Sequence, residues 1–202
     1  KKWASKVNCT KSFSNIFIGL PTVYSSCCRL SNDITKAGGL GFSNSFGVGG
    51  LSIGSHRCAG LNMARIGILE KENKDIINED LEVLHKILYT HRQLLKEKIS
   101  VGALPLYTAD WISLRRQYST IALTGCNQYV SNKGLDIKEQ NGVDCIYQAF
   151  KKIENKVGEW QEAEEAEGCI YNIENIPAES LAVRLAQCDK VLGYNDKYKL
   201  YS

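Results

Sequence analysis

Leu81, Leu84, Leu88 and Leu95, joined by Val83, Ile87, Leu94 and Ile99, recur at the three- and four-residue spacing of a helix. The pattern predicts a helix over 79–98, with Asn78 or Asp80 placed to cap its start. A second amphipathic helix is predicted in the stretch GVDCIYQAFKKIENKVGEWQEAEEAEG, with Val143, Ile146, Phe150, Ile153, Val157 and Trp160 on one face and Gly168 closing it. CIYNIEN then reads as a strand and PAESLAVRLAQCDK as a third helix, with Pro177 in its first turn. Upstream, NIFIGL (15–20) reads as a short buried strand ending at Pro21, whereas Gly38 to Gly60 is dense in glycine and serine and reads as a long loop. Strands alternating with helices, without repeats or low-complexity linkers, predict an α/β architecture.

Composition narrows the chemistry. The chain has 202 residues, 44% of them hydrophobic, enough for one domain with a proper core that needs no disulfides. Eight cysteines fall in no CxxC pair and no regular framework, which favours a reduced, cytoplasmic setting. No apolar run approaches the roughly 18 residues that span a bilayer. A net charge of +3, spread along the chain, leaves no nucleic-acid footprint. His56, His85 and His91 have no metal-ligand spacing and read as structural or solvated, so no metal site is expected.

Three stretches carry candidate chemistry. In YSSCCRLSND the adjacent Cys27 and Cys28 are either inert small hydrophobes or reactive thiols; the polar surroundings, with Arg29 and Asp33 close by, open a redox or radical role. The run AGGLGFSNSFGVGGLSIGS lacks both the GK[ST] ending of a P-loop and GxGxxG spacing, and reads as a flexible connector. In ENIPAESLAVRLA a strand feeds a helix through Pro177, so free N–H groups of the first turn either cap an ordinary helix or receive an anion such as phosphate. Glu179 in that turn complements the helix dipole, and Glu174 just before it can serve as a base or hydrogen-bond partner.

Taken in order, SSCCRLSND, GLNMARIGI (60–68), STIALTGCNQYV (119–130), YNIENIPAESLAVRLAQCDK (171–190) and the closing YKLYS resemble the middle of the catalytic subunit of anaerobic (class III) ribonucleotide reductases. The resemblance runs from about residue 15 to 202. It implies part of a ten-stranded α/β barrel of the glycyl radical enzyme type, with CCRL at the tip of a finger loop inside the barrel. In that family a glycyl radical oxidises a barrel cysteine to a thiyl radical, which takes a hydrogen from the ribose of a ribonucleoside triphosphate so that the 2′-hydroxyl can leave. Cys28 matches the radical cysteine, and Cys27 becomes a packing residue or second thiol. Asn62 matches the asparagine beside the ribose, although NMAR stands where the family has NLPR. Pro177, Ala178, Glu179 and Ser180 match the turn that holds substrate phosphates. Glu174 stands where formate-consuming members have tyrosine, which resembles the branch reduced by a thioredoxin- or glutaredoxin-like protein. Cys126 is a candidate redox thiol.

The resemblance also implies parts that the sequence does not contain: N-terminal barrel strands, a zinc site of paired CxxC motifs and the glycyl radical loop. Residues 1–202 are therefore expected to be a partial catalytic barrel domain, either truncated or one piece of a split gene product. It would act with the remaining reductase chain, a radical-SAM activating protein and a thiol reductant, as a homodimer when complete. The competing expectation is a noncatalytic fragment that binds nucleotide or partner chains. A formate-lyase type of glycyl radical enzyme is a lesser rival, since it lacks the IPAES turn.

Overall fold

The computed structural model describes residues 23–25, 31–33, 54–72, 75–175 and 179–201. The chain divides into two compact units, residues 1–54 and 55–202. In the first, β1 (Val23–Ser25) and β2 (Ser31–Asp33) pair antiparallel, with Val23 opposite Asp33 and Ser25 opposite Ser31. Cys27 and Cys28 fall in the connection between these strands and lie outside the described residues, as does the strand expected over 15–20.

The second unit is built on a three-stranded sheet in the order β3 (Gly54–Asn62), β4 (Gln117–Thr124), β5 (Ile170–Asn175). β4 and β5 run parallel, with Tyr118 opposite Ile170 and Leu123 opposite Asn175. Contacts between β3 and β4 advance in step: Ser55 meets Tyr118, His56 meets Ser119, and Gly60 lies beside Ala122. Parallel neighbours need crossovers. Here they are made by α1 (Met63–Leu69), α2 (Ile76–Ser100), α3 (Pro105–Thr108) and a 3-10 turn between β3 and β4. Between β4 and β5 they are α4 (Cys126–Asn132), α5 (Gln140–Ala163) and a 3-10 turn closed by Gly168, with α6 (Glu179–Val191) following β5. The architecture is mixed α/β with a parallel sheet.

Both long helices form where the periodicity places them. Leu81, Leu84 and Leu88 of α2 and Ile146, Ile153, Val157 and Trp160 of α5 are buried in one core with Ile121, Leu123 and Tyr171 of the sheet. The expected apolar faces are too broad, however: Val83, Ile87 and Leu94 on α2, and Val143 and Phe150 on α5, are exposed. The α2 start also shifts. Asp75 occupies the cap position, and Asn78 donates its amide to Asp75 Oδ1 at 2.6 Å.

The long glycine-rich loop ends sooner than expected, because residues 54–60 belong to β3. Strand propensity there is poor, but pairing with β4 decides the outcome. Its glycine suits the packing, since a Cβ at Gly60 would come within 3.3 Å of Leu181. Exposed and covered positions cease to alternate at Arg57 and Cys58, both exposed. α1 and α4 meet almost backbone to backbone: a Cβ on Gly67 would stand 2.7 Å from Tyr129 O.

A buried polar cluster closes the end of the sheet where β4 and β5 begin. Arg92, 1% exposed on α2, donates from Nη1 to Gln117 O (3.0 Å) and from Nη2 to Leu114 O (2.8 Å) and Gly168 O (2.6 Å). Glu164 accepts from Tyr171 OH at 2.6 Å and lies 2.6 Å from His85 Nε2, while His85 stacks on Trp160 with ring centroids 4.4 Å apart. His91 instead stacks on His56, their Nδ1 atoms 3.1 Å apart, and His56 Nε2 meets Ser119 Oγ at 2.8 Å. Among the described residues no helix is long and apolar enough to cross a membrane.

Candidate functional site at the strand C-termini

Parallel α/β sheets place ligands beyond the C-terminal ends of their strands. Asn62, Thr124 and Glu174 stand at or next to those ends on β3, β4 and β5. Strands are spaced about 4.8 Å apart, so the two outer strands, which carry Asn62 and Glu174, stand about 10 Å apart with β4 between them.

Asn62 ends β3 and caps α1. Its Oδ1 accepts from Arg65 N at 3.2 Å, the usual bond of a helix cap to its third residue. Its Nδ2 donates to Asp189 Oδ2 at 2.7 Å. Asp189, on α6, is fully buried and also accepts from Arg65 Nε (2.7 Å), from Arg65 Nη2 and from Tyr201 OH (2.8 Å). Arg65 in turn lies over the Tyr194 ring. Burying a carboxylate at this depth is tolerated because a guanidinium and two neutral donors surround it.

Glu174 is half-buried near the end of β5. Burial holds its carboxyl above the usual carboxylate range, partly offset by the hydrogen bond from Asn172 Nδ2 to Oε1 at 3.1 Å. Thr120 Oγ1 donates to Asn172 Oδ1 at 2.7 Å and so fixes which way that amide faces. A carboxyl raised by burial and held by a polar relay has the character of a proton-transfer group.

At the end of β4, Thr124 Oγ1 is buried with no hydrogen-bond partner among the described residues. Gly125 follows in the left-handed region at φ 85°, and a Cβ there would lie 2.9 Å from Ala64 N. Cys126 then opens α4 and packs against the core; burial pushes its thiol up to about 11. It stays protonated at neutral pH, which disfavours thiolate exchange and preserves an S–H bond.

α6 begins at Glu179, and Ser180 is exposed in its first turn. Pro177, Ala178 and the Glu179 side chain lie outside the described residues, together with Cys27 and Cys28. The fold thus brings Asn62 and Glu174 to one end of the sheet and starts α6 shortly after Glu174. Sequence reading overlooked Arg65, Thr124, Asn172 and Asp189. The three-residue step from Asn62 to Arg65 was a legible cap signal, whereas Asp189 lies 127 residues from Asn62 and carries none. The described residues contain no group of three His, Cys, Asp or Glu able to hold a metal, so they offer no site for a zinc ion and none is assigned a role.

Residues 3–201 match the family model described as anaerobic ribonucleoside-triphosphate reductase. Among solved structures, the chain is similar to the Thermotoga maritima anaerobic ribonucleotide reductase with citrate in the active site: 31% identity, TM-score 0.67, 75% of this chain and 30% of that one. The same enzyme in complex with dATP and CTP matches at 31% identity and TM-score 0.67, over 75% of this chain and 27% of that one. The form with glycerol in the active site matches at 32% identity and TM-score 0.67, over 79% and 28%. This chain therefore spans about 30% of the length of those reductases. A search of curated proteins found no match.

Proposed function

The chain belongs to the anaerobic ribonucleoside-triphosphate reductase family, and on that premise we propose that it forms part of a catalytic barrel that reduces ribonucleoside triphosphates to deoxyribonucleotides by radical chemistry. Residues 1–202 contribute strands and helices to a ten-stranded barrel, whose other parts and glycyl radical lie outside residues 1–202. Cys28 is the thiol that the glycyl radical oxidises by taking its hydrogen atom. The resulting thiyl radical removes a hydrogen atom from the ribose, the 2′-hydroxyl leaves as water, and two electrons arrive from a thioredoxin- or glutaredoxin-like dithiol. A radical-SAM activating protein generates the glycyl radical, and the complete enzyme works as a cytoplasmic homodimer.

Within this chain, Asn62 contacts the ribose, and the N–H groups of the turn formed by Pro177, Ala178, Glu179 and Ser180 hold the phosphates. Glu174 accepts and returns a proton beside the leaving hydroxyl. Cys27 and Cys126 are secondary thiols. The observation that carries this reading is the convergence of Asn62 and Glu174, two residues that the reductase resemblance singles out, at one end of a parallel sheet from which α6 follows.

The test is deoxynucleotide formed per glycyl radical, under anaerobic conditions, in a complete reductase carrying this chain. Cys28→Ser abolishes reduction while radical formation persists, because an O–H bond is too strong for the hydrogen transfer that a thiol permits. Cys27→Ser costs far less. Activity surviving in Cys28→Ser but lost in Cys27→Ser moves the thiyl radical to Cys27. Activity surviving in both removes the reductase role from this loop and favours a noncatalytic, nucleotide- or partner-binding segment.

A further inference from the structure

We infer that Asp189 is a positioning residue for the reaction: it locks the amide of Asn62 in one orientation on the ribose side of the site. The inference rests on the reductase reading of Asn62 and adds a residue to it.

A terminal amide rotates easily, and its two ends present opposite hydrogen-bonding character. At Asn62 both ends are fixed by complementary partners. Oδ1 faces the Arg65 N–H at 3.2 Å, and Nδ2 faces Asp189 Oδ2 at 2.7 Å. Turning the amide over would set donor against donor at Arg65 N and acceptor against acceptor at Asp189. One Nδ2 hydrogen and one Oδ1 lone pair remain for a ligand, both with known direction. The capping bond alone would leave Nδ2 unanchored.

Asp189 is itself immobilised. Arg65 grips Oδ1 through Nε at 2.7 Å and through Nη2, and Tyr201 OH donates to Oδ2 at 2.8 Å. Its backbone carbonyl accepts from Tyr194 N (2.8 Å) and Asn195 N (3.1 Å), which fastens the end of α6 to the segment that follows. One carboxylate thus links the end of β3, the start of α1, helix α6 and the tail at Tyr201.

The experiment compares Asp189→Asn, Asn62→Ala and the double variant in the complete reductase, measuring kcat, nucleoside-triphosphate Kd and glycyl radical content. Asp189→Asn offers Asn62 either end of an amide, so the flipped state is opposed only by the Arg65 N–H and becomes populated. It should lower kcat about 10- to 100-fold, the scale of a misplaced reacting group, with Kd changed less than about twofold. In the Asn62→Ala background the same change should leave kcat unaltered. Should Asp189→Asn lower kcat equally in both backgrounds, or weaken nucleotide binding as strongly as it slows turnover, Asp189 is structural and the inference is overturned. If Asn62→Ala impairs turnover while Asp189→Asn does not, the inference alone fails. If Asn62→Ala turns over normally, the ribose role of Asn62 fails and takes the inference with it. Removing Asp189 leaves Arg65 without its counter-charge, so should that variant not fold, Arg65→Gln/Asp189→Asn, which removes both charges together, replaces it under the same expectations.

Discussion

The two ends of the parallel sheet handle their polar groups in opposite ways. Where β4 and β5 begin, Arg92 spends its terminal nitrogens on three backbone carbonyls, and Glu164 is enclosed by His85 and Tyr171. Where the strands end, Glu174 is raised and half-buried, Asn62 keeps one hydrogen and one lone pair to spare, and the only polar group of the Thr124 side chain meets no described partner. Arg92 Nε also lacks a partner, yet that side chain makes three other bonds. Polar groups bonded among themselves stabilise a fold, whereas groups held in place with capacity left over can meet a ligand. The first end has the character of a scaffold, and the second is the end proposed above as the site.

Arg92 offers the hardest test of that division. Arg92→Met keeps most of the side-chain volume but strands three carbonyls, and should destabilise the chain by about 3 kcal/mol or more, read as a shifted urea midpoint. A loss below about 1 kcal/mol would contradict the scaffold role. At the opposite end, Glu174→Gln should behave the other way. Stability stays within about 0.5 kcal/mol, as for changes that leave packing intact, while turnover with a protein dithiol falls at least about tenfold in a complete reductase.

The histidine pair gives the scaffold a pH dependence. Burial, reinforced by Arg92, His91 and Arg57, lowers His56 from 6.5 to about 4, and His91 is lowered as well, chiefly by burial. Between those values the unfolded chain binds a proton that the folded chain refuses, so stability is full above pH 6.5 and falls as pH drops toward 4. His56→Gln should flatten the urea midpoint between pH 6.5 and 4.5. Glu70 answers only to stronger acid, because Lys133 and Tyr129 hold it below the ordinary carboxylate range despite its burial. The smallest effect belongs to Thr124→Val. It exchanges a hydroxyl without a described partner for a methyl group, and should leave stability unchanged or raise it by at most about 1 kcal/mol.

How much of this was legible depended on whether a signal was local. Helix α5 was visible because Ile146, Ile153, Val157 and Trp160 repeat along one stretch of chain. Strand β4 was not seen as a strand, since residues 119–124 are buried on both faces and so show no alternation. β3 was hidden by its glycine, serine and charged residues, which pairing with β4 overrides. Asn62 and Glu174 could be singled out because their sequence blocks resemble a family. Asp189 could not, since its meaning comes from partners 124 and 127 residues away.

The division into scaffold end and site end is tested most directly by hydrogen–deuterium exchange of the complete reductase with and without a ribonucleoside triphosphate. The account predicts that nucleotide slows exchange in residues 60–65 and 174–182, at the strand C-termini, and leaves 114–118 and 164–171 unchanged. Protection confined to those latter segments, with none at 60–65 or 174–182, would contradict it.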